Sequence, residues 1–300
     1  MARELLTLTR RSALLAAGAL TLGAAGCGRK AEEPPPAKAA GSPQSLQSAI
    51  DGDWRSPADK ARDAWRHPAE SLAFWGLKPG QTVVEFWPGA GWYTDIIAPF
   101  LAATGGKLYA ANLQPDPADP AVQAVIDAFR AKLEGARRRY GEVEMTAFGP
   151  TSGPVAPAGS ADLVLFLRNL HNWMAAGIAE KAFRDAFAAL KPGGVLGVEE
   201  HRADVGGVQD VLAADGYVQQ AYVVQLAEEA GFKLAAASEI NANPRDTKDH
   251  PFGVWTLPPV RRSSPRGQPD DPAFDHARFD AIGESDRMTL RFVKPAAAQP

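Results

Sequence analysis

The chain has 300 residues, 45% hydrophobic and 22% charged, a balance that excludes a disordered, collagenous or disulfide-stapled polymer and leaves one large domain or two small ones. With 35 acidic against 32 basic side chains the net charge is −3, so no bulk basic field exists to hold a polyanion, and nucleic acid is not an expected partner. The single cysteine, Cys27, excludes an intramolecular disulfide and a thiolate metal cluster.

Residues 1–27 have the pattern of an export signal. Met1 to Arg11 is basic and Ser12 to Gly26 is apolar, a run of about fifteen residues that falls short of the ~20 needed to span a bilayer but suits a signal core. Thr9-Arg10-Arg11-Ser12-Ala13-Leu14-Leu15 resembles a twin-arginine signal. Ala24-Ala25-Gly26-Cys27 resembles a lipobox, with Ala24 where leucine is commonest. On that reading a lipid on Cys27 anchors the protein on the periplasmic side of a membrane, each buried methylene adding ~0.8 kcal/mol; the alternative is a plain cleaved signal with an incidental cysteine. Residues 28–47 are rich in Pro, Ala and Gly, lack periodicity and read as an extended tether. The folded domain is then expected over 48–300.

Within it, strand and helix patterns alternate. Thr82 to Trp87 is a short β-branched run after the turn Lys78-Pro79-Gly80, followed by a helix over Gly91–Leu101 and a strand over Lys107–Asn112. Pro120 to Tyr140 has helical periodicity with proline in its first turn. Ala161 to Leu167 is a continuous apolar run of central-strand type. Ala175–Leu190 is an amphipathic helix stopped by Lys191-Pro192-Gly193-Gly194, and Val195–Glu200 a strand. Val218–Ala230 and Phe232–Ile240 repeat helix and strand, and Arg287–Val293 alternates as a final strand. This order predicts an α/β fold, a Rossmann-like doubly wound, mostly parallel sheet with an antiparallel last strand. Residues 241–284, rich in Pro, Asp, Arg and His, look too polar for core and read as an insertion or lid.

In such a sheet ligands sit beyond the carboxyl ends of the strands, and the first strand-to-helix turn is Glu85-Phe86-Trp87-Pro88-Gly89-Ala90-Gly91-Trp92-Tyr93-Thr94. Gly89 and Gly91 let main chain approach a ligand and aim helix N–H groups at it. The turn resembles that of the class I S-adenosylmethionine-dependent methyltransferases, whose pattern is an acid at the end of the first strand and glycines two, four and six residues later. Glu85, Gly89 and Gly91 match; Trp87 stands at the first glycine. Phe187 to Val195 resembles the turn before the fifth strand of that superfamily. Asp162 and the loop Arg168-Asn169-Leu170-His171-Asn172-Trp173 take the position of its catalytic loop. ArgAspAlaTrpArgHisPro at 62–68, ProGlyAlaGlyTrpTyrThr at 88–94 and GlyGluSerAspArgMetThrLeuArgPhe at 283–292 resemble a group of exported, predicted methyltransferases. The resemblance implies seven strands, S-adenosylmethionine as cofactor, a small-molecule substrate, and a cofactor site at Glu85, Pro88, Gly89, Ala90, Gly91, Tyr93, Asn112 and Arg168. A nicotinamide-binding domain would want glycine where Thr94 stands and an acid where Asn112 stands. Methyltransferases also want a carboxylate at Asn112, where an amide accepts through one oxygen only.

Methyl transfer needs a base only when the nucleophile arrives protonated. His171 is the first candidate, with Asn169 and Asn172 to orient substrate; its alternative is a helix-capping or exposed histidine. His67 is the second, its alternative a helix boundary set by Pro68. Glu199, Glu200, His201 and Arg202 cluster at one strand end, where they could hold a metal but where solvation is the commoner cause, and no metal is expected. Trp87, Trp92, Tyr93 and Trp173 either ring the pocket or pack in the core. Asp246, Trp255, Glu284, Asp286 and Arg287 recur in the family-like segments, Asp286 and Arg287 reading as an ion pair. Neither a Gly-x-Ser-x-Gly elbow nor His-Glu-x-x-His occurs. Export conflicts with a cytosolic cofactor, so the alternative function is an exported ligand-binding lipoprotein on a methyltransferase scaffold without catalysis.

Overall fold

A computed structural model describes residues 45–296; the export signal, lipobox and most of the tether lie outside the described residues. The β-branched and apolar runs form strands β1 (Thr82–Phe86), β2 (Lys107–Leu113), β3 (Val143–Phe148), β4 (Ala161–Leu167), β5 (Leu190–His201), β6 (Lys233–Ser238), β7 (Pro251–Val254) and β8 (Arg287–Val293). Seven of them make one sheet in the order β3-β2-β1-β4-β5-β8-β6, with β7 outside it. The ladders from β3 through β5 are parallel, and β8 runs antiparallel to both its neighbours. This is the Rossmann-like sheet that the alternation predicts. Strand order reverses between β1 and β4, which makes their carboxyl ends the topological switch point, the place where such sheets open a crevice.

The pleat divides the core. Val83 of β1, with Leu163, Leu165 and Val195, packs under the helices at Pro68–Trp75 and Thr94–Thr104 through Leu72, Trp75, Ile96 and Ile97. Val84 and Phe86 face the opposite layer, where Phe148, Phe166, Trp173 and Phe183 meet edge to face. Trp75 lies against β5 because Gly197 has no side chain: a Cβ there would stand 2.6 Å from the indole Cγ.

Several elements depart from expectation, each for a local reason. β3 lacks an apolar run because it is a half-exposed edge strand. The helix after β1 starts at Thr94 rather than Gly91, whose φ of 85° is left-handed. The helix expected over 175–190 spans Ala179–Ala189, and the left-handed Gly177 parts it from a further short helix, Leu170–Ala175. The helix over 120–140 likewise breaks after Gly135, at Ala136. Lys191-Pro192-Gly193-Gly194 lies inside β5, at a register shift against β4, rather than ahead of the strand. Ser45 caps a first helix, Leu46–Ile50, so the last tether residues are already folded. Three further short helices, Pro57–Ala61, Asp63–Arg66 and Pro68–Trp75, precede β1. The 241–284 segment is divided: Asn241, Asn243, Asp246 and His250 are buried, whereas residues 265–273 are exposed. Asp246 accepts from the Tyr217 hydroxyl at 3.0 Å and from Asp286 N at 2.8 Å, which is how the polar buried part becomes core.

Candidate functional site

The turn after β1 contains three left-handed residues, Trp87 (φ 44°), Gly89 (φ 60°) and Gly91 (φ 85°). Trp87 therefore keeps the backbone shape for which the methyltransferase pattern uses glycine, at a conformational cost of roughly 1–2 kcal/mol. Its indole turns away from the turn: Nε1 donates to Phe148 O at 2.9 Å and the ring meets Trp173 edge-on at 5.9 Å. No atom lies within 4 Å of where a Gly89 Cβ would stand, so this stretch of main chain is open. On the other side Lys132 fixes the turn, donating to Ala90 O at 2.8 Å and to Asp95 Oδ2 at 2.6 Å. Gly91 N closes it on Pro88 O at 2.9 Å.

Glu85, at the end of β1, is buried and accepts the Thr94 hydroxyl at 2.6 Å; burial holds its carboxyl up to about 7. Asn112, at the end of β2, is also buried. Its Oδ1 accepts Leu113 N at 2.7 Å, which settles the amide's orientation and leaves Nδ2 without a partner. The group left unpaired is therefore a donor, not the acceptor expected from the sequence. An orphaned buried donor is rare in folded chains and is satisfied when a ligand oxygen arrives.

The loop after β4 is tied to its surroundings from three directions. Arg168, left-handed at φ 59°, donates its main-chain N to Glu199 O at 2.7 Å and Nη1 to Glu199 Oε1 at 3.1 Å. Asn169 donates Nδ2 to Trp87 O at 3.0 Å and Leu167 O at 3.3 Å, so this side of its amide pins the glycine turn to β4. His171 is buried and its Nδ1 lies 2.9 Å from Glu200 Oε1. A carboxylate there accepts a hydrogen bond from Nδ1–H, which keeps the proton on Nδ1 and leaves Nε2 with its lone pair, the tautomer a base requires.

Tyr93 donates its hydroxyl to Glu199 Oε2 at 2.9 Å, and burial with the Glu199 charge pushes its own ionisation well up. Glu199 and Glu200 are both fully buried, which overturns strand-end solvation as their explanation. His171, Glu200 and His201 offer ligand atoms within 4.8 Å of one another. The Glu200 oxygens, however, already accept Leu170 N, His171 N, His171 Nδ1 and His201 N, so the set is closed to a cation. Trp173 is core, not pocket wall, and Trp92 lies buried beneath the Arg55 and Arg66 guanidiniums. Asp162 sits at the opposite end of the sheet, on Thr82 N and Lys191 Nζ. Asp286 pairs with Arg202 and Lys248, and Arg287 with Glu199 and Glu284, instead of with each other.

His67 caps the break between two helices, at φ 41°, and its Nδ1 lies 3.1 Å from Asn241 Oδ1. It also lines two cavities of about 290 and 420 Å³, neither of which the glycine turn lines. The structure thus brings Glu85, the 88–91 turn, Asn112, Arg168 and His171 to one end of β1, β2 and β4, and puts His67 with Asn241, beyond the end of β6. Sequence reasoning missed Arg62, Arg66 and Lys132 as parts of this region. The signal for the first two was the 62–68 segment itself, two arginines spaced one helical turn apart.

No family model matches the sequence, and no curated protein matches it. Among solved structures, the chain is similar to the [4+2]-cyclase SpnF at 17% identity and a TM-score of 0.51, over 84% of this chain and 92% of that one. It is similar to a candidate sarcosine dimethylglycine methyltransferase from Galdieria sulphuraria at 15% identity and a TM-score of 0.51, over 82% and 90% of the two chains. One of these is a cyclase by name and the other a methyltransferase, so the scaffold does not by itself assign an activity. What they share with this chain is the Rossmann-like methyltransferase fold.

Proposed function

We propose that the protein is an S-adenosylmethionine-dependent methyltransferase acting on a small molecule. The observation that carries this reading is the pairing of an open left-handed turn at Gly89 with the unpartnered buried amide of Asn112, one strand away at the same end of the sheet. Main chain of Pro88–Gly91 would hold the adenosyl portion and Asn112 Nδ2 would donate to a ribose oxygen, with Trp87 turned aside. The cofactor, when bound, supplies a methyl group on a cationic sulfur. The chain's own task is alignment. Asn169 fixes the turn relative to β4, Glu200 holds His171 in one tautomer, and His171 Nε2 receives a proton from an acceptor that arrives protonated.

The test is calorimetry of the full chain with S-adenosylmethionine and S-adenosylhomocysteine. Micromolar binding abolished by Gly89→Val supports the reading, and no heat at millimolar ligand overturns it. Binding with no methyl transfer to any acceptor would leave a ligand-binding scaffold. The twin-arginine and lipobox patterns further support export with a lipid on Cys27 as membrane anchor. Mass spectrometry of membrane fractions should find that lipidated cysteine at the N-terminus, and an intact Met1 in the cytosol would refute it.

A further inference from the structure

At the carboxyl end of β4 and β5, four guanidiniums gather around two carboxylates. Glu284 accepts from Arg62 Nε at 2.7 Å, Arg66 Nε at 3.0 Å and Arg287 Nη1 at 2.6 Å. Glu199 faces Arg168 Nη1 at 3.1 Å and Arg287 Nε at 3.0 Å, and takes the Tyr93 hydroxyl. Tyr93 adds no charge, since burial and Glu199 raise its ionisation. Nor does the nearby His201, which burial, His171, Arg287 and Arg168 push well below its ordinary range. Asp59, which accepts the Ser56 hydroxyl at 2.7 Å, acts on Arg62 more weakly than Glu284 does. Glu85 acts on Arg168 in the same indirect way, so in direct contact four guanidiniums meet only two carboxylates, an arrangement in a largely desolvated place that is costly unless an anion completes it.

The exposure of the cluster says where that anion goes. Glu199, Glu284, Arg66 and Arg287 form the floor, their side chains at most 5% exposed, whereas Arg62 and Arg168 keep 24% and 16%. Among the described residues Arg62 donates through Nε alone and Arg168 through Nη1 alone, so each guanidinium keeps an unused edge toward water. The two also repel: after burial and the opposing pull of Glu284, Arg168 is the next influence on Arg62, and it lowers Arg62. Planar forks with free N–H pairs are the natural receptor for a carboxylate or phosphoryl group.

We propose that Arg62 and Arg168 bind an anionic group, carboxylate or phosphoryl, carried by the methyl acceptor. The proposal rests on the methyltransferase reading and narrows it to anionic small molecules. Arg168 stands two residues before the helix Leu170–Ala175 that carries His171, so an acceptor gripped there lies next to the base.

The test uses the full chain with sodium phosphate as probe, followed by thermal unfolding at ionic strength held constant with chloride. Phosphate should stabilise the wild type saturably. Arg62→Gln and Arg168→Gln should each weaken apparent phosphate affinity about tenfold or more, as for one charge-assisted contact. Arg62→Lys, which keeps the charge but not the fork, should weaken it less, and Arg130→Gln, on the exposed face of the 120–135 helix, not at all. Phosphate that stabilises the wild type no more than chloride overturns the pocket whether or not the glutamine variants fold, and so does an equal loss in Arg130→Gln. Calorimetry with S-adenosylhomocysteine identifies the anion's bearer. Independent binding of phosphate and S-adenosylhomocysteine supports the acceptor, whereas competition between them assigns the pocket to the cofactor's own carboxylate and overturns that assignment. Phosphate binding with no S-adenosylhomocysteine binding would keep the pocket and remove methyl transfer, and with it the acceptor.

Discussion

Glu85 gives the fold a specific pH dependence that Glu85→Gln should remove. Burial raises its carboxyl from 4.5 to about 7, so between those values the folded chain holds a proton that the unfolded chain has released. Stability from this group is fully present below pH 4.5 and is lost as pH rises through 7. At about 1.4 kcal/mol for each tenfold change in ionisation, the ionised side chain costs the folded state about 3 kcal/mol at pH 8. Glutamine fills the same space, still accepts the Thr94 hydroxyl and never ionises. The stability of Glu85→Gln relative to wild type should therefore rise by about 3 kcal/mol between pH 4.5 and 8, equivalent to roughly 6–12 °C in Tm for a domain of this size. Urea unfolding of both proteins at half-unit pH steps measures it, and every other titrating group cancels in the difference. A difference that stays flat across this range would show that Glu85 is solvated, and the packed turn described above would be wrong.

Two further outcomes follow from single atoms. Gly197→Ala should lower stability by about 1–3 kcal/mol in denaturant unfolding, because its Cβ would stand 2.6 Å from Trp75 and 2.9 Å from Leu165 inside the sheet; an unchanged midpoint would mean Trp75 does not occupy that gap. Asn112→Asp removes the unpartnered donor and sets a carboxylate against the ribose oxygen it would serve, so S-adenosylhomocysteine binding should weaken about tenfold; unchanged binding by a folded variant would place the ribose elsewhere.

The sheet was legible in the sequence where a strand is buried on both faces, because β4 then appears as an apolar run and β1 and β5 carry the shorter apolar stretches Val83–Val84 and Val195–Val198. β3 was not, since a half-exposed edge strand with the exposed Glu144 and the polar Thr146 among its residues has no such run. The glycine turn was legible because left-handed backbone selects glycine, and the lone exception, Trp87, hid a shape that the chain nevertheless keeps. The charged residues were legible as a cluster but not in their pairings. Glu199 meets Tyr93 across 106 residues and Arg62 meets Glu284 across 222, and no local periodicity encodes contacts of that range. For the same reason a run of Glu, Glu and His at a strand end looks solvated until its partners are placed.

Glu199 and Glu200 are adjacent on β5, and the pleat sends them to opposite faces. On one face Glu199 holds Arg168 and Tyr93; on the other Glu200 holds His171. Tyr93 belongs to the glycine turn, Arg168 to the connection after β4 and His171 to the short helix that follows it, so one strand end fastens both segments from above and below while Asn169 joins them directly. Groups held this way need little reorganisation when a ligand arrives, which is the condition for aligned transfer. Against that saturated frame the unused donors stand out: Asn112 Nδ2 beside the turn, and the outer edges of Arg62 and Arg168 beside the loop. Other buried atoms also lack a partner, Trp173 Nε1 in the aromatic core among them, but Asn112 Nδ2 stands beside the open turn and the two arginine edges reach solvent, which suits them to oxygen ligands, a sugar hydroxyl at one point and an anion at the other.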